Sequence, residues 1–219
     1  MRLGGSLLHL PDLVDRLSQV LGAMATNGAD GCETSAPLSV LLIVGGGPSV
    51  DQLRSLQMRF GGSDEQLHWQ AVEVMSHHAA LLARLLPRTR YVSSREEALL
   101  AWRSGQTAVL NVNVWLRAEE AHVQEHPPSE GSAVIRLPHD WTCTSDSIAA
   151  WVAQRWPAQS LVLLKSAAAV SGMTSSLSCP AGTVDPVIRT WAEAGIVDSI
   201  FPQVARGLPQ VELINLRAC

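Results

Sequence analysis

The pattern of apolar and polar positions divides the chain into strand-length and helix-length segments. Two nearly continuous apolar runs, "LSVLLIV" at residues 38–44 and "SLVLLK" at 160–165, are typical of buried strands. Other segments carry apolar side chains three and four positions apart, which predicts amphipathic helices. The first helix carries Leu13, Leu17, Val20, Leu21 and Met24 at this spacing. The inner stripe of a long helix that ends before Pro87 is marked by Leu67, Ala71, Val74, Met75, His78, Leu82 and Leu85.

Strands and helices alternate along most of the sequence. Further strands are predicted at residues 89–93, 107–113 and 210–216. Further helices are predicted from about Ser49, at 94–105 with Ser93 or Ser94 as cap, from about 144, and at 184–195. Such alternation is typical of a parallel sheet covered on both faces. We therefore expect an α/β fold, a three-layer αβα sandwich with a mainly parallel sheet.

Two polar segments interrupt this alternation. Residues 26–37 and the proline-rich residues 124–132 have the composition of loops. The second loop is the best internal boundary, and it divides a single domain over 1–219 into parts 1–130 and 131–219. No internal repeat is recognisable.

Composition and charge exclude several classes of protein. A net charge of -4 lacks the basic excess of a nucleic-acid binder. The apolar runs are far shorter than a membrane span, and the first residues lack the layout of a signal peptide. Cys32, Cys143, Cys179 and Cys219 form no C-x-x-C pair, so we expect reduced thiols. These features predict a cytoplasmic protein whose partner is a small molecule, with no nucleic acid and no membrane.

Three short segments at the ends of predicted strands or the start of a predicted helix are candidates for ligand binding. They are "RLGGS" at residues 2–6, "VGGGPS" at 44–49 and "TSDS" at 144–147. Open α/β sheets bind ligands at the carboxyl ends of their strands, where glycines let the backbone approach a phosphate. No P-loop motif is present, and "GGGPSV" matches only the first two glycines of the dinucleotide fingerprint. Two glycine-rich strand ends together favour a phosphate site over two structural turns.

Asp146 lies among hydroxyl residues at a predicted helix start and has two interpretations. It can be a carboxylate in the first turn that interacts favourably with the helix dipole, with Thr144 or Ser145 as the N-cap. It can also be a functional carboxylate. The adjacent His77 and His78 lack the i, i+4 spacing of a helical zinc pair, so no metal ligand is predicted.

The order of "RLGGSLL", "VGGGPSVDQLR", "TSDSIAAW" and "LVLLK" resembles the amino acid kinase superfamily, which includes acetylglutamate, aspartate, uridylate and isopentenyl phosphate kinases. "GGGPSVD", His68-Trp69 and "TSDSIAAW" are most similar to the small branch tied to methanofuran biosynthesis. That branch is similar to kinases that convert an aminomethylfuran-methyl phosphate to its diphosphate. The resemblance extends from Leu3 to about Leu216.

The resemblance implies roles for the candidate residues. Asp146 would orient two cations around the transferred phosphoryl: Arg2, which stands where the family has its first lysine, and Lys165, which is otherwise a solvated strand-end lysine. The implied phosphate or nucleotide contacts are Gly4, Gly5, Ser6, Thr144, Ser145 and Ser147. The implied acceptor contacts are Gly45, Gly46, Gly47, Pro48, Asp51 and His68, although His68 is as well explained by packing beside its indole neighbour.

The same resemblance implies ATP and Mg²⁺, with the metal held largely by nucleotide phosphates, and a homo-oligomer. Residues 1–130 would form the acceptor-binding lobe, and residues 131–219 a reduced nucleotide-binding lobe.

Two functions compete. The first is an ATP-dependent kinase for a small phosphorylated or carboxylated acceptor, in one-carbon cofactor biosynthesis. The second is a catalytically weak relative that serves as a small-molecule-binding or regulatory protein. The second is favoured by Arg2 and by the run "LLKSAAAVSGMTSS" at 163–176, which has no acidic residue where family members carry one. A nucleotide-dependent reductase is disfavoured by the incomplete dinucleotide fingerprint.

Overall fold

The computed structural model describes residues 1–27, 39–126, 135–166, 174–176 and 185–217. These residues form a seven-stranded sheet with the order β3-β4-β2-β1-β5-β7-β6. Its strands are β1 Arg2–Leu3, β2 Leu41–Val44, β3 Thr89–Val92, β4 Thr107–Leu110, β5 Leu161–Lys165, β6 Thr174–Ser176 and β7 Gln210–Asn215. Six strands run parallel, and β6 pairs antiparallel with β7 at one edge. The predicted parallel α/β sheet is therefore confirmed.

Helices connect the parallel strands. In the described residues they are α1 Leu13–Asn27, α2 Gly47–Phe60, α3 Asp64–Leu85, α4 Arg95–Arg103, α5 Val112–Glu125, α6 Ser145–Arg155, α7 Pro186–Glu193 and α8 Phe201–Val204. A 3-10 helix, Gly5–His9, follows β1 directly. Among these helices, none is both long and apolar enough to cross a membrane.

Apolar side chains fill both faces of the sheet. In β2, Ile43 packs into one buried cluster while Leu42 and Val44 pack into a second one on the opposite face. The alternation follows from the pleat, which points successive side chains to opposite sides. Helices α4 to α8 contribute to the first cluster, α1 and the 3-10 helix contribute to the second, and α3 contributes to both. This arrangement is the expected three-layer sandwich.

Much of the tryptophan content is explained by the first cluster. Trp102, Trp115, Trp151 and Trp156 are linked by edge-to-face contacts, with ring centroids 5.8 to 6.1 Å apart. Aromatic pairs in this geometry add to the free energy gained from apolar burial. These residues therefore stabilise the core.

One predicted strand boundary was wrong, and three elements were not predicted. The strand predicted at 107–113 ends at Leu110, because the Asn111 side chain accepts a hydrogen bond from the backbone nitrogen of Val114 and caps α5. The helix that follows was not predicted, nor were β6 and α8, which are only three and four residues long. Most of the two predicted loops, at 26–37 and 124–132, lies outside the described residues.

Candidate functional site

The two glycine segments meet at one rim of the sheet. Strand β1 lies between β2 and β5, so the segments that follow β1 and β2 leave the sheet side by side. A Cβ on Gly5 would overlap the backbone nitrogen of Gly47, and Gly47 itself has a φ of +56°. A Cβ on Gly46 would overlap the side chain of Val50. Glycine is therefore required here by the contact between the two turns and by the start of α2, before any ligand is considered.

Asp146 is held between two cations. Its Oδ1 lies 2.7 Å from Nη1 of Arg2, and its Oδ2 accepts a hydrogen bond of 2.7 Å from Nζ of Lys165. Arg2 also donates from Nη2 to Oγ of Ser145 at 2.6 Å, and Lys165 donates to the backbone oxygen of Ile196 at 2.6 Å. The Asp146 side chain is only 5% exposed. Asp146 thus pairs with both cations rather than capping α6.

Burial changes the protonation of Lys165. Loss of hydration lowers the pKa of its ammonium group to about 8, and the nearby Arg2 charge acts in the same direction. The ion pair with Asp146 opposes this change but does not cancel it. Lys165 is therefore mostly charged at neutral pH and loses its charge as the pH rises through about 8.

The cap of α6 is Asp198, which sequence reasoning missed. Its carboxylate accepts hydrogen bonds from the backbone nitrogen and hydroxyl of Thr144, at 3.0 and 2.8 Å, and from the backbone nitrogen and hydroxyl of Ser147. It also accepts from the backbone nitrogen of Phe201, the first residue of α8, at 3.0 Å. Burial and the charge of Asp146 raise the pKa of Asp198, while these hydrogen bonds oppose the rise. Its spacing before Phe201 is a local cap signal, but its role at α6 depends on the fold.

A cleft of about 250 Å³ opens beside these groups. Of the predicted site residues, those that line it are Arg2, Gly4, Gly5, Ser6, Gly46, Gly47, Asp51, His68, Thr144, Ser145 and Lys165. Gly45, Pro48, Asp146 and Ser147 do not line it. Most of the predicted set is therefore brought together, with Asp146 and Ser147 buried behind the surface that a ligand would touch.

The wall formed by α2 and the segment before α6 adds two residues that sequence reasoning missed, Arg54 and Trp141. The Arg54 guanidinium lies over the Trp141 ring, with Cζ 4.6 Å from the ring centroid. Helical spacing from Val50 and Asp51 could have indicated Arg54, because positions three and four residues apart share one helix face. Nothing in the sequence pairs it with Trp141.

His68 is almost completely buried, with 4% of its surface exposed. Its ring stacks on His139 at a centroid distance of 4.6 Å and meets Trp69 edge-on at 5.4 Å. Burial, then the neighbouring His139, lowers the pKa of His68 to about 4, so the ring is neutral at pH 7. Nε2 of His68 has no hydrogen-bond partner among the described residues. Both interpretations of His68 thus have support, since it packs beside its indole neighbour and also lines the cleft.

The described part of the chain contains one buried free thiol and no cluster of metal-binding side chains. Cys143 lines the cleft as a free thiol, and burial raises its pKa, which keeps it protonated. The other three cysteines lie outside the described residues. No group of three or more metal-binding side chains occurs in the described ranges.

The architecture matches a solved structure over nearly its whole length. The crystal structure of uridylate kinase from Archaeoglobus fulgidus aligns with a TM-score of 0.58, covering 99% of this chain and 92% of that chain at 15% sequence identity. The chain has an amino acid kinase-like fold. No family model matches the sequence, and no curated protein matches it either. Because the likeness is one of fold, the role of each residue in this kinase-like fold must be argued from its own geometry.

Proposed function

We propose that this chain is an ATP-dependent phosphotransferase that acts on a small phosphorylated or carboxylated acceptor. The supporting observation is that Arg2 and Lys165 are fixed on the two oxygens of buried Asp146 while both line the cleft beside the glycine turns. Phosphoryl transfer depends mainly on in-line positioning and on positive charge at the equatorial oxygens. Two oriented cations in one cleft supply that charge.

The residues on the nucleotide side partly fit a bound triphosphate. Nε of Arg2 is buried without a hydrogen-bond partner among the described residues, and a phosphate oxygen that reaches it would satisfy it. Gly4, Gly5, Ser6 and Ser145 would contact the nucleotide phosphates from the cleft wall. Mg²⁺, held by those phosphates, would neutralise their charge.

Thr144 and Ser147 fit a phosphate less well. Their backbone nitrogens and hydroxyls already donate to Asp198. A direct phosphate contact would require a phosphate oxygen to replace that carboxylate. This observation favours the second candidate, a catalytically weak relative that binds a small molecule without efficient transfer.

On the acceptor side, Gly46, Gly47, Asp51 and His68 would line the pocket, while Gly45 and Pro48 would shape the turn. We propose an aminomethylfuran phosphate in methanofuran-type one-carbon cofactor biosynthesis as the acceptor. The support is the resemblance of "GGGPSVD", His68-Trp69 and "TSDSIAAW" to that branch. We further predict an acceptor-binding lobe at residues 1–130, a nucleotide-binding lobe at residues 131–219, a homo-oligomer and a cytoplasmic location.

The deciding experiment combines binding with turnover. Calorimetry with Mg-ATP tests nucleotide binding, and ADP formation is then followed with a panel of phosphomonoesters and carboxylates that includes the aminomethylfuran phosphate. A kinase binds Mg-ATP and forms ADP only with its acceptor. Acceptor binding without any ADP formation would support the weak relative instead. No binding of Mg-ATP at millimolar concentration would contradict the kinase assignment.

A further inference from the structure

Two polar atoms on one wall of the cleft lack a partner. Nε of Arg54 and Nε2 of His68 are buried, and neither has a hydrogen bond within the described residues. Both side chains line the cleft that also contains Arg2 and Lys165. Buried polar groups in proteins are nearly always satisfied by protein, water or ligand. Because both residues line one cleft, a ligand bound there can satisfy both atoms.

Arg54 is held in place without a carboxylate. Its guanidinium stacks on Trp141, whose indole nitrogen donates to Oε1 of Gln57 one turn along α2. The Gln57 amide in turn donates to Asp64 at 2.6 Å. Unlike Arg2, Arg16 and Arg155, Arg54 forms no ion pair within the described part of the chain. A guanidinium that is already oriented and unpaired is suited to bind an anion, because little side-chain freedom is lost on binding.

The rest of the wall limits what the ligand can be. The apolar side chains that line the same cleft as Arg54, Arg2 and Lys165 are Val50, Ala71, Val72, Met75 and Ile148. Asp51 and Asp140 are the acidic residues of the lining, and neither forms an ion pair with Arg54. The ligand that fits has a compact apolar body and at least one anionic group.

We propose that Arg54, stacked on Trp141 and assisted by a hydrogen bond that the neutral ring of His68 donates from Nε2, binds an anionic group of the acceptor and thereby selects acidic acceptors. The anion is a carboxylate or a phosphate, since a guanidinium recognises both through paired N–H groups. The inference rests on the proposed function only in calling this ligand the phosphoryl acceptor. The anion site itself does not depend on transfer.

Phenyl phosphate, benzoate and neutral benzyl alcohol serve as probes, with binding measured by calorimetry. In Arg54→Gln we expect roughly tenfold or greater loss of affinity for at least one anionic probe, because a charged hydrogen-bonded contact is removed. The affinities for benzyl alcohol and Mg-ATP should not change. Arg54→Lys keeps the charge and should retain part of the binding. Arg59→Gln is the matched control, since Arg59 is on the same helix, stacks on Phe60 and does not line the cleft.

A second measurement uses the wild-type protein. Phenylglyoxal modifies arginine side chains, and mass spectrometry reports which ones. We expect the preferred anionic probe to protect Arg54 but not Arg59. Comparison of phenyl phosphate with benzoate then assigns the site to phosphates or to carboxylates.

Three results would overturn the proposal: unchanged binding of both anions by Arg54→Gln, equal losses for anionic and neutral probes, or no protection of Arg54. Each is separable from a failure of the proposed function. If Mg-ATP does not bind but Arg54 still captures the anion, the kinase assignment fails and the anion site stands. If ATP is turned over while Arg54→Gln behaves as wild type, only the anion site fails.

Discussion

The two sides of the cleft differ in whether their charged groups form ion pairs within the described residues. On one side, the paired rim consists of Arg2, Asp146, Lys165 and Asp198, and each of these groups has at least one close protein partner. On the other side, the open wall consists of Arg54, His68 and Trp141, where within the described residues Arg54 forms no ion pair and Nε2 of His68 has no hydrogen bond. The paired rim holds its own geometry before ligand arrives. We propose that a ligand completes the open wall, so the two sides should respond differently to mutation.

The largest effect is expected for Asp146→Asn in the paired rim. Removing the charge leaves Arg2 and Lys165 close together without their shared anion, and breaking a buried ion pair costs about 3–5 kcal/mol. Turnover should fall by roughly 100-fold or more, the scale for losing one organised electrostatic element. Chemical unfolding and ADP formation measure the two effects. The control is Asp12→Asn in the more exposed pair with Arg16, where at most about 1 kcal/mol is expected. Wild-type turnover in Asp146→Asn would end the catalytic assignment.

The next largest effect is expected for Asp198→Ala. The change removes the side-chain acceptor for Thr144, Ser147 and Phe201, so α6 loses its cap and the start of α8 loses one hydrogen bond. The free energy of unfolding should fall by about 2–3 kcal/mol. Asp185→Ala, which removes the cap of α7 alone, should cost about 1 kcal/mol. Urea unfolding of both variants tests this difference. Equal losses would show that Asp198 does not hold α6.

A smaller effect is expected from pH acting on Lys165. Its pKa is lowered to about 8, so Mg-ATP affinity should fall about tenfold between pH 7 and pH 9 as the cation is lost. Stability changes in the opposite direction. Between about pH 8 and 10.5 the unfolded chain binds more protons at Lys165 than the folded chain, so this contribution to stability rises with pH. Lys165→Arg should remove both dependences, as seen by calorimetry and by thermal unfolding across the pH range.

The smallest effect belongs to the open wall. Because the pKa of His68 lies near 4, its ring stays neutral from pH 6 to pH 8. Benzoate affinity should therefore change by less than about twofold over that range, which calorimetry can measure. A marked gain of affinity toward pH 6 would mean that His68 acts as a cation. His68→Gln keeps a neutral hydrogen-bonding group and should show the same flat profile.

These two sides also differ in how far they could be predicted. Arg2, Asp146 and Lys165 were implied by the family resemblance that the order of short segments carries, and the structure joins all three. Arg54 and Trp141 were not predicted, because a guanidinium on a helix surface and a tryptophan in a loop carry no local signal of contact. The strand predicted at 107–113 was too long for a local reason. Asn111 ends the strand by capping α5, although apolar residues continue on both sides of it.

The sequence by itself determined the alternation of strands and helices, and therefore the parallel sheet, because periodicity is a local property of each segment. It also determined that glycines and hydroxyl residues follow strands or begin a helix. Only the tertiary structure decided which charges meet. Arg2 and Ser145 are 143 positions apart, and Thr144 and Asp198 are 54 apart. Contacts at such separations depend on the order of strands in the sheet, and no spacing along the chain encodes that order.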